Sequence, residues 1–213
     1  MLLQGFDLDR SGPAEGFGAL GVRMPFAVGE EIYAQGEDAD LVYQVVAGAV
    51  RTTRLMSDGR RQIGAFYYPG DLFGIECWAE HRFSAEALSE CEILVVKRAA
   101  LRHYGEDGRR LERAIWDATA VALERTQEHL LLLGRKTACE KVASFLLDIA
   151  DRLGGETTFL PMGRQDMADY LGLTIETVSR MLTQLQAEGL VEFSGCRRFR
   201  IRRPAALAQR VVS

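Results

Sequence analysis

The sequence predicts an α+β protein, with an antiparallel β-roll of the jelly-roll kind, a long helix and a C-terminal winged helix-turn-helix. Three observations predict this order. Short β-rich segments separated by turns fill residues 21–96. Apolar residues then recur at helical spacing, and two short helices with a following hairpin occupy the last third of the chain. We divide the chain into a lead (1–20), the β-roll (21–104), the long helix (105–134) and the winged domain (135–213).

Repeated short strands support the β-roll. The strand candidates are Leu41–Val46, Ala49–Met56, Gln62–Tyr68 and Cys91–Val96. Ser57-Asp58-Gly59 and Pro69-Gly70-Asp71 are turn signals between them. Short antiparallel strands at this spacing are typical of a small barrel or jelly roll.

The long helix is predicted from about Ala99 to Leu133. Its apolar positions are Leu111, Ile115, Ala118, Ala122, Leu123, Leu130 and Leu133. About 25 helical residues extend nearly 40 Å, and a second copy of the chain is the simplest partner to bury this stripe. We therefore expect a homodimer, with packing inside one chain as the alternative. Gly134-Arg135-Lys136 is the predicted hinge, after which Thr137 and Glu140 form a T-x-x-E capping box.

Residues 164–185 are predicted to form a helix-turn-helix. The apolar side of the first helix is Met167, Ala168 and Leu171, and that of the second is Val178, Leu182 and Leu185. Gly172 allows the sharp turn between the helices. Thr174 can cap the second helix, because its hydroxyl can accept an N–H of the first turn.

The polar face of the second helix carries Glu176, Ser179 and Arg180. Arginine can donate two parallel hydrogen bonds to guanine, and glutamate can accept one from the N4 amine of cytosine. We therefore predict that these three residues contact the bases of double-stranded DNA. The alternative is a solvated helix face with an i,i+4 ion pair.

Phosphate contacts are predicted on both sides of this face. We assign them to Thr174, Thr177, Gln165, Arg197 and Arg198. The hairpin Leu190–Ile201 is the predicted wing, and its Arg200 should also lie near phosphates. Such contacts fix the register and add salt-dependent affinity but read no sequence. Solubility is the alternative role of the arginines.

Charge is unevenly distributed along the chain. The formal net charge is −4, but residues 1–134 carry 14 Lys+Arg against 21 Asp+Glu, whereas residues 135–213 carry 12 against 9. The basic part therefore coincides with the predicted DNA-binding part. There is no apolar run of about 18 residues and no signal-peptide pattern, so we expect a cytoplasmic protein that does not contact a membrane.

Metal-ligand patterns do not occur in the sequence. The four cysteines are Cys77, Cys91, Cys139 and Cys196, and the three histidines are His81, His103 and His129. No two are close enough for the usual metal-site spacing, so we expect neither a cofactor nor an enzyme. Cys196 in the predicted wing turn is a candidate redox thiol, because a neighbouring arginine favours the thiolate. A thiol without a role is the alternative.

The order of the domains, together with Glu176-Thr177-Val178-Ser179-Arg180, resembles the CRP/FNR family of bacterial transcription regulators. These five residues look like the E-x-x-S-R signature of the FNR and FixK branches. Residues 41–51 and 70–74 resemble the cyclic-nucleotide-binding-like sensor domain of the FixK type. The resemblance implies an activator that reads TTGA-type half-sites of an inverted repeat as a homodimer. It also implies contact with RNA polymerase, for which loop residues 80–83 are candidates, and a role in low-oxygen respiration, denitrification or nitrogen fixation.

Two departures concern the signal that such a regulator receives. Cyclic-AMP-binding members carry a ribose-binding glutamate and an Arg-Ser pair, whereas here Glu76 is one position late and Phe83 precedes Ser84. A buried phosphate would lack its charge partner. Oxygen-sensing members carry an N-terminal cysteine cluster, and the first cysteine here is Cys77. We therefore expect no effector, with a ligand-gated regulator whose β-roll binds another small molecule as the alternative.

Overall fold

The computed structural model describes residues 21–99 and 105–211, with the backbone alone for 105–107. The predicted N-terminal lead lies outside the described residues. Two compact units are present. The first contains the described residues up to Val50 together with Tyr67–Val121, and the second contains Arg51–Phe66 and the residues from Ala122 onward.

Antiparallel strands form most of the N-terminal part. They are β1 (Val22–Phe26), β2 (Glu31–Tyr33), β3 (Leu41–Ala47), β4 (Val50–Leu55), β5 (Arg61–Tyr67), β6 (Leu72–Phe73), β7 (Ser84–Ala87) and β8 (Cys91–Lys97). One sheet of the first unit has the order β1-β8-β3-β6. Val42 lies opposite Val96 in the pairing of β3 with β8. Separately, β2 pairs with β7, and β4 pairs with β5 as a hairpin.

Strand β3 is buried on both faces. Because successive side chains of a strand point to opposite sides, Tyr43 and Val45 enter the main core with Phe73 and Ile93, while Val42 packs in a second cluster that includes Leu111. The four strands predicted from the sequence are confirmed. The shorter β1, β2, β6 and β7 were not predicted, because they are too short or too exposed to show an apolar pattern.

Five helices follow among the described residues. They are α1 (Gly105–Arg135), α2 (Ala138–Leu153), α3 (Arg164–Leu171), α4 (Ile175–Ala187) and α5 (Pro204–Gln209). The predicted fold class, with the long helix between the β-rich part and the helix-turn-helix, is confirmed. No helix in the described ranges is long and apolar enough to cross a membrane.

The predicted hinge at Gly134–Lys136 is wrong about its first two residues. Helix α1 continues through Gly134 and Arg135, because one glycine costs a helix only about 1 kcal/mol. The break comes at Lys136 and Thr137. The predicted capping box is confirmed: the Glu140 carboxylate accepts the Thr137 N–H at 2.6 Å, and the Thr137 hydroxyl accepts the Glu140 N–H at 3.4 Å.

The C-terminal part has its own core and a small sheet. Helix α2 buries Val142, Phe145, Leu146 and Ile149. The sheet has the order β10-β11-β9, where β9 is Thr158–Phe159, β10 is Val191–Ser194 and β11 is Arg198–Ile201. The predicted wing hairpin is therefore confirmed as β10 and β11, and it places the turn 195–197 at its tip.

Candidate nucleic-acid interface

The turn between α3 and α4 depends on one glycine and one threonine. Gly172 adopts the left-handed conformation (φ 61°, ψ 43°) at the C-terminal end of α3, where a side chain would add strain. Thr174 precedes α4, and its hydroxyl accepts the Thr177 N–H at 3.2 Å. Both features were predicted from the sequence, and together they set the angle at which α4 leaves α3.

The apolar side of α4 is fully enclosed. Val178, Leu182 and Leu185 are each at most 3% exposed, so this side cannot rotate outward without large loss of buried area. The predicted base-contacting residues lie on the opposite side of α4. The Arg180 side chain is exposed and forms no hydrogen bond or ion pair with another described residue, so its guanidinium is available to a ligand.

Glu176 lies in the first turn of α4 and is exposed. Hydrogen bonds from its own backbone N–H and from the Thr174 hydroxyl hold the pKa of Glu176 below its ordinary value. The side chain is therefore a carboxylate at neutral pH. A carboxylate only accepts hydrogen bonds, which suits the N4 amine of cytosine.

Ser179 is joined to α3 by a residue that was not predicted. Nη1 of Arg164, the first residue of α3, donates to Oγ of Ser179 at 3.1 Å. The backbone carbonyl of Ser179 accepts the Thr183 hydroxyl at 3.0 Å. The only hint of Arg164 in the sequence is that it is a basic residue at the start of the predicted helix. The contact itself spans 15 positions and follows only from the packing of the two helices.

Gln165, a predicted phosphate contact, is exposed in the first turn of α3. Its Nε2 donates to Oδ1 of Asp169, one turn later, at 2.7 Å. Asp169 also accepts hydrogen bonds from Arg61 of β5 through its other oxygen, at 2.8 and 2.6 Å. The amide group of Gln165 is therefore oriented by a carboxylate that is itself bound.

The wing arginines fall into two groups. Arg198 is exposed, and Arg197 uses one nitrogen to donate to the Pro161 carbonyl at 3.1 Å, which leaves its other N–H groups for phosphates. Arg200 instead pairs with Glu156 and Glu192 at 2.8 and 2.9 Å. The expectation that Arg200 lies ready for a phosphate is therefore not supported, because its charge is already offset.

Cys196 is exposed in the wing turn beside Arg197. Its position agrees with the prediction, while its redox role stays a prediction. The described residues contain no group of three or more His, Cys, Asp or Glu side chains that could hold a metal ion.

Three residues of the first unit bear on the binding of a cyclic nucleotide. Ser84, which would bind the cyclic phosphate, accepts the Gln35 N–H at 2.9 Å. Phe83 occupies the position before it, where an arginine would be needed. Oε1 of Glu76 accepts the Arg82 N–H at 3.3 Å. The phenylalanine before Ser84 thus leaves a bound cyclic phosphate without a charged partner.

The interior of this unit is instead filled with aromatic side chains. The His81 ring stacks on Tyr33 with centroids 3.7 Å apart, and Tyr43 stacks on Phe73 at 5.1 Å. His81 is 2% exposed. Burial lowers its pKa, against the opposing effect of the Glu76 carboxylate. These rings supply core packing and no phosphate-binding charge.

Comparison with known proteins agrees with the two-part architecture. Residues 23–107 match the family model of the cyclic nucleotide-binding domain, and residues 140–210 match that of the Crp-like helix-turn-helix domain. The nitrogen fixation regulation protein FixK of Azorhizobium caulinodans is 50% identical over 202 residues, which are 92% of this chain and 81% of that protein. FixK of Rhizobium meliloti is 43% identical over 205 residues, 96% of this chain and 93% of that protein.

A solved structure shares the same fold. FixK2 from Bradyrhizobium japonicum gives a TM-score of 0.84 at 46% identity and covers 89% of this chain and 96% of that chain. A sensor-type β-roll followed by a winged helix-turn-helix defines a DNA-binding transcription regulator. The chain belongs to the CRP/FNR family, in its FixK-like branch, and is a transcriptional activator of the FixK/FNR type.

Proposed function

We propose that this protein binds a TTGA-type inverted repeat as a homodimer and activates transcription without an effector. The face formed by Glu176, Ser179 and Arg180 carries the proposal, because an acceptor, a hydroxyl and an unengaged guanidinium project from a capped helix whose opposite side is buried. Arg180 reads guanine, and Glu176 accepts from cytosine on the opposite strand. Thr174, Thr177, Gln165, Arg197 and Arg198 bind phosphates and set the register.

Of the predicted apolar stripe of α1, Leu111, Ile115 and Ala118 pack within the chain. The homodimer is supported by the apolar side chains of α1 that stay exposed. Trp116, Leu123 and Leu130 are 75%, 60% and 70% exposed and recur at intervals of seven residues. A seven-residue apolar repeat is the pattern by which two helices pack along a common seam. Over about 21 Å of helix, this seam offers a second copy a continuous contact. Two-fold symmetry then explains a palindromic site, with reading helices about 34 Å apart.

The spacing between half-sites tests this arrangement. We expect DNase footprints to protect both halves of TTGA-N6-TCAA on one duplex at a single protein concentration. Inserting about five base pairs turns one half-site to the other side of the DNA, and the cooperative footprint should then disappear. Equal protection of the original and the lengthened site would contradict a rigid dimer and leave independent monomers as the binding unit.

Effector-independent binding is proposed against a specific alternative. The match of residues 23–107 to the cyclic nucleotide-binding domain favours a ligand-gated regulator. Phe83, which stands where a phosphate-binding arginine would be needed, favours the effector-free one. Calorimetric titration with cyclic AMP distinguishes them, since binding with a Kd in the micromolar range would favour the nucleotide-gated regulator.

The biological role is proposed from relatives. Two similar proteins are named nitrogen fixation regulation proteins, and we infer a comparable role here in nitrogen fixation or other low-oxygen metabolism in the cytoplasm. RNA polymerase is the partner that an activator must contact. Glu80 and Arg82 are the exposed residues of the candidate loop, whereas His81 within it is buried.

A further inference from the structure

The hairpin formed by β4 and β5 contacts the first helix of the helix-turn-helix through two arginines. Nη1 of Arg51 lies 2.6 Å from Oδ1 of Asp166, and Nη2 of Arg61 lies 2.7 Å from the same oxygen. Arg61 also donates from Nε and Nη2 to Oδ2 of Asp169 at 2.8 and 2.6 Å. Residues 51–66 and helix α3 are both parts of the second unit.

These ion pairs are largely shielded from water. The side chains of Asp166 and Asp169 are 11% and 15% exposed, and that of Arg61 is 31% exposed. A carboxylate at this burial needs a charged partner, since an unpaired buried charge is strongly destabilising. The other oxygen of Asp166 accepts the Gly163 N–H at 3.2 Å and so caps α3. Both oxygens of Asp166 are therefore occupied by contacts that hold the start of α3.

Asp169 differs from Asp166 because one of its oxygens has a surface residue as its partner. This oxygen accepts a hydrogen bond from the exposed Gln165 at 2.7 Å. Because a carboxylate can only accept, the NH₂ group of Gln165 must point toward Asp169, and its second N–H remains for another acceptor. Arg61, Asp169 and Gln165 thus form a continuous chain of hydrogen bonds that ends at a predicted phosphate contact.

The position of Arg61 is fixed by its neighbours in the hairpin. Nε2 of Gln62 donates to the Asp169 carbonyl at 3.1 Å. Phe66 packs against Tyr170 with ring centroids 5.2 Å apart, and its carbonyl accepts a hydrogen bond from Arg152 at 3.2 Å. The guanidinium therefore reaches Asp169 from an anchored strand and not from a free loop.

Charge gives this contact a consequence for DNA binding. The carboxylate of Asp169 lies beside the side chain that is assigned to a phosphate, and two anions would repel each other there. Arg61 offsets the charge of Asp169 and leaves the amide of Gln165 as the group presented to DNA.

We propose that Arg61 is a positioning residue for DNA binding, which acts through Asp169 on Gln165. The proposal rests on the proposed function, because it requires that Gln165 meets a phosphate. It assigns to the β4–β5 hairpin an indirect part in DNA affinity, beyond its place in the fold.

Fluorescence anisotropy on the inverted-repeat duplex and on a scrambled duplex tests this role. The variants are Arg61→Gln, Arg61→Gln/Asp169→Asn and Gln165→Ala, each compared with the wild-type protein at low and at high salt. Arg60→Gln is the matched control, because Arg60 lies in the same hairpin and its side chain pairs, among the residues that the structure describes, with Asp58 alone. It removes the same charge without touching α3.

We expect Arg61→Gln to raise Kd about five-fold on both duplexes at low salt, with a smaller increase at high salt because salt weakens the repulsion between the Asp169 carboxylate and the DNA phosphates. The double variant should return to within about two-fold of wild type, since it removes the carboxylate together with its partner. Because Gln165 is exposed, the Gln165→Ala variant should fold normally. It should weaken DNA binding by about the same factor as Arg61→Gln. Arg60→Gln should bind like wild type.

The proposal is overturned if Arg61→Gln and Gln165→Ala both bind like wild type. It is also overturned if the double variant is as weak as Arg61→Gln, which would mean that Arg61 acts through packing alone. Failure of the proposed function is a separate result, namely equal wild-type affinity for the two duplexes. The Arg61 comparison remains decisive in that case, because a phosphate contact is scored on the scrambled duplex as well.

Discussion

Arg164 of α3 donates a hydrogen bond to the hydroxyl oxygen of Ser179 on α4, with Nη1 and Oγ 3.1 Å apart. The contact joins the two helices of the helix-turn-helix on their exposed side. A serine hydroxyl that accepts this bond keeps its own hydrogen for an outside acceptor. The Arg164 side chain therefore decides which hydrogen-bonding role Ser179 offers to DNA.

Loss of Arg164 should therefore affect Ser179. We expect Arg164→Ala and Ser179→Ala each to cost about 1 kcal/mol of binding to the inverted repeat. The double variant should cost clearly less than the two single costs together, because both changes remove one shared interaction. Equilibrium anisotropy of the three variants measures the coupling, and strictly additive costs would show that the two residues act independently.

Arg180 should carry most of the preference for guanine. We expect Arg180→Ala to lose about 1–3 kcal/mol on the TTGA site. On a site in which the guanine of each half is replaced, the same variant should lose little binding free energy relative to wild type. The wild-type protein already lacks the guanine contact on that site. The measurement is Kd on both duplexes at one salt concentration. An equal loss on both sites would assign Arg180 to the backbone.

The wing offers a test of phosphate binding with its own control. Arg197→Ala should weaken binding to specific and scrambled duplexes by a similar factor and should make the salt dependence of Kd shallower. Arg200→Ala should leave that slope unchanged, because Arg200 is engaged by Glu156 and Glu192. A loss confined to the specific duplex after Arg197→Ala would instead indicate base reading.

The α1 seam predicts the oligomeric state. Leu123→Glu should convert the protein to a monomer, because a charge placed in an apolar seam loses hydration without gaining a partner. Leu123→Ala removes apolar area without adding a charge and should weaken the dimer less. Sedimentation velocity over a range of concentrations compares the two. A Leu123→Glu protein that remains dimeric would exclude this seam.

His129 should make stability depend on pH. Its ring stacks on Tyr170 with centroids 4.1 Å apart, and burial, together with the nearby Lys141, lowers its pKa. The unfolded chain therefore binds a proton more readily, so stability is full above the ordinary histidine pKa of about 6.5 and decreases as the pH falls below it. His129→Phe should reduce this decrease in urea denaturation between about pH 7.5 and 5.5. Identical pH profiles for both proteins would contradict the assignment.

The helix-turn-helix was predictable because its signals are local. Gly172, Thr174 and the four-residue spacing of Val178 and Leu182 lie within one short stretch, and each has a single structural reason. The strands at 41–47 and 91–97 were predictable for the same reason, because both are long and apolar.

Other features were not predictable because they depend on residues far apart in sequence. Arg61 meets Asp169 across 108 positions, and Arg200 meets Glu156 across 44. No local pattern distinguishes a paired arginine from one that is available to phosphate. The continuation of α1 through Gly134 has a different, local reason, since one glycine near the end of the helix costs too little to stop it before Arg135.

The central claim is selective DNA binding without an effector. It is tested most directly by fluorescence anisotropy of the wild-type protein on a TTGA-N6-TCAA duplex and on a scrambled duplex, at one fixed salt concentration, with and without cyclic AMP. We expect much tighter binding to the inverted repeat and the same Kd in the presence and absence of the nucleotide. Selective binding only with cyclic AMP, or equal affinity for the two duplexes, would contradict it.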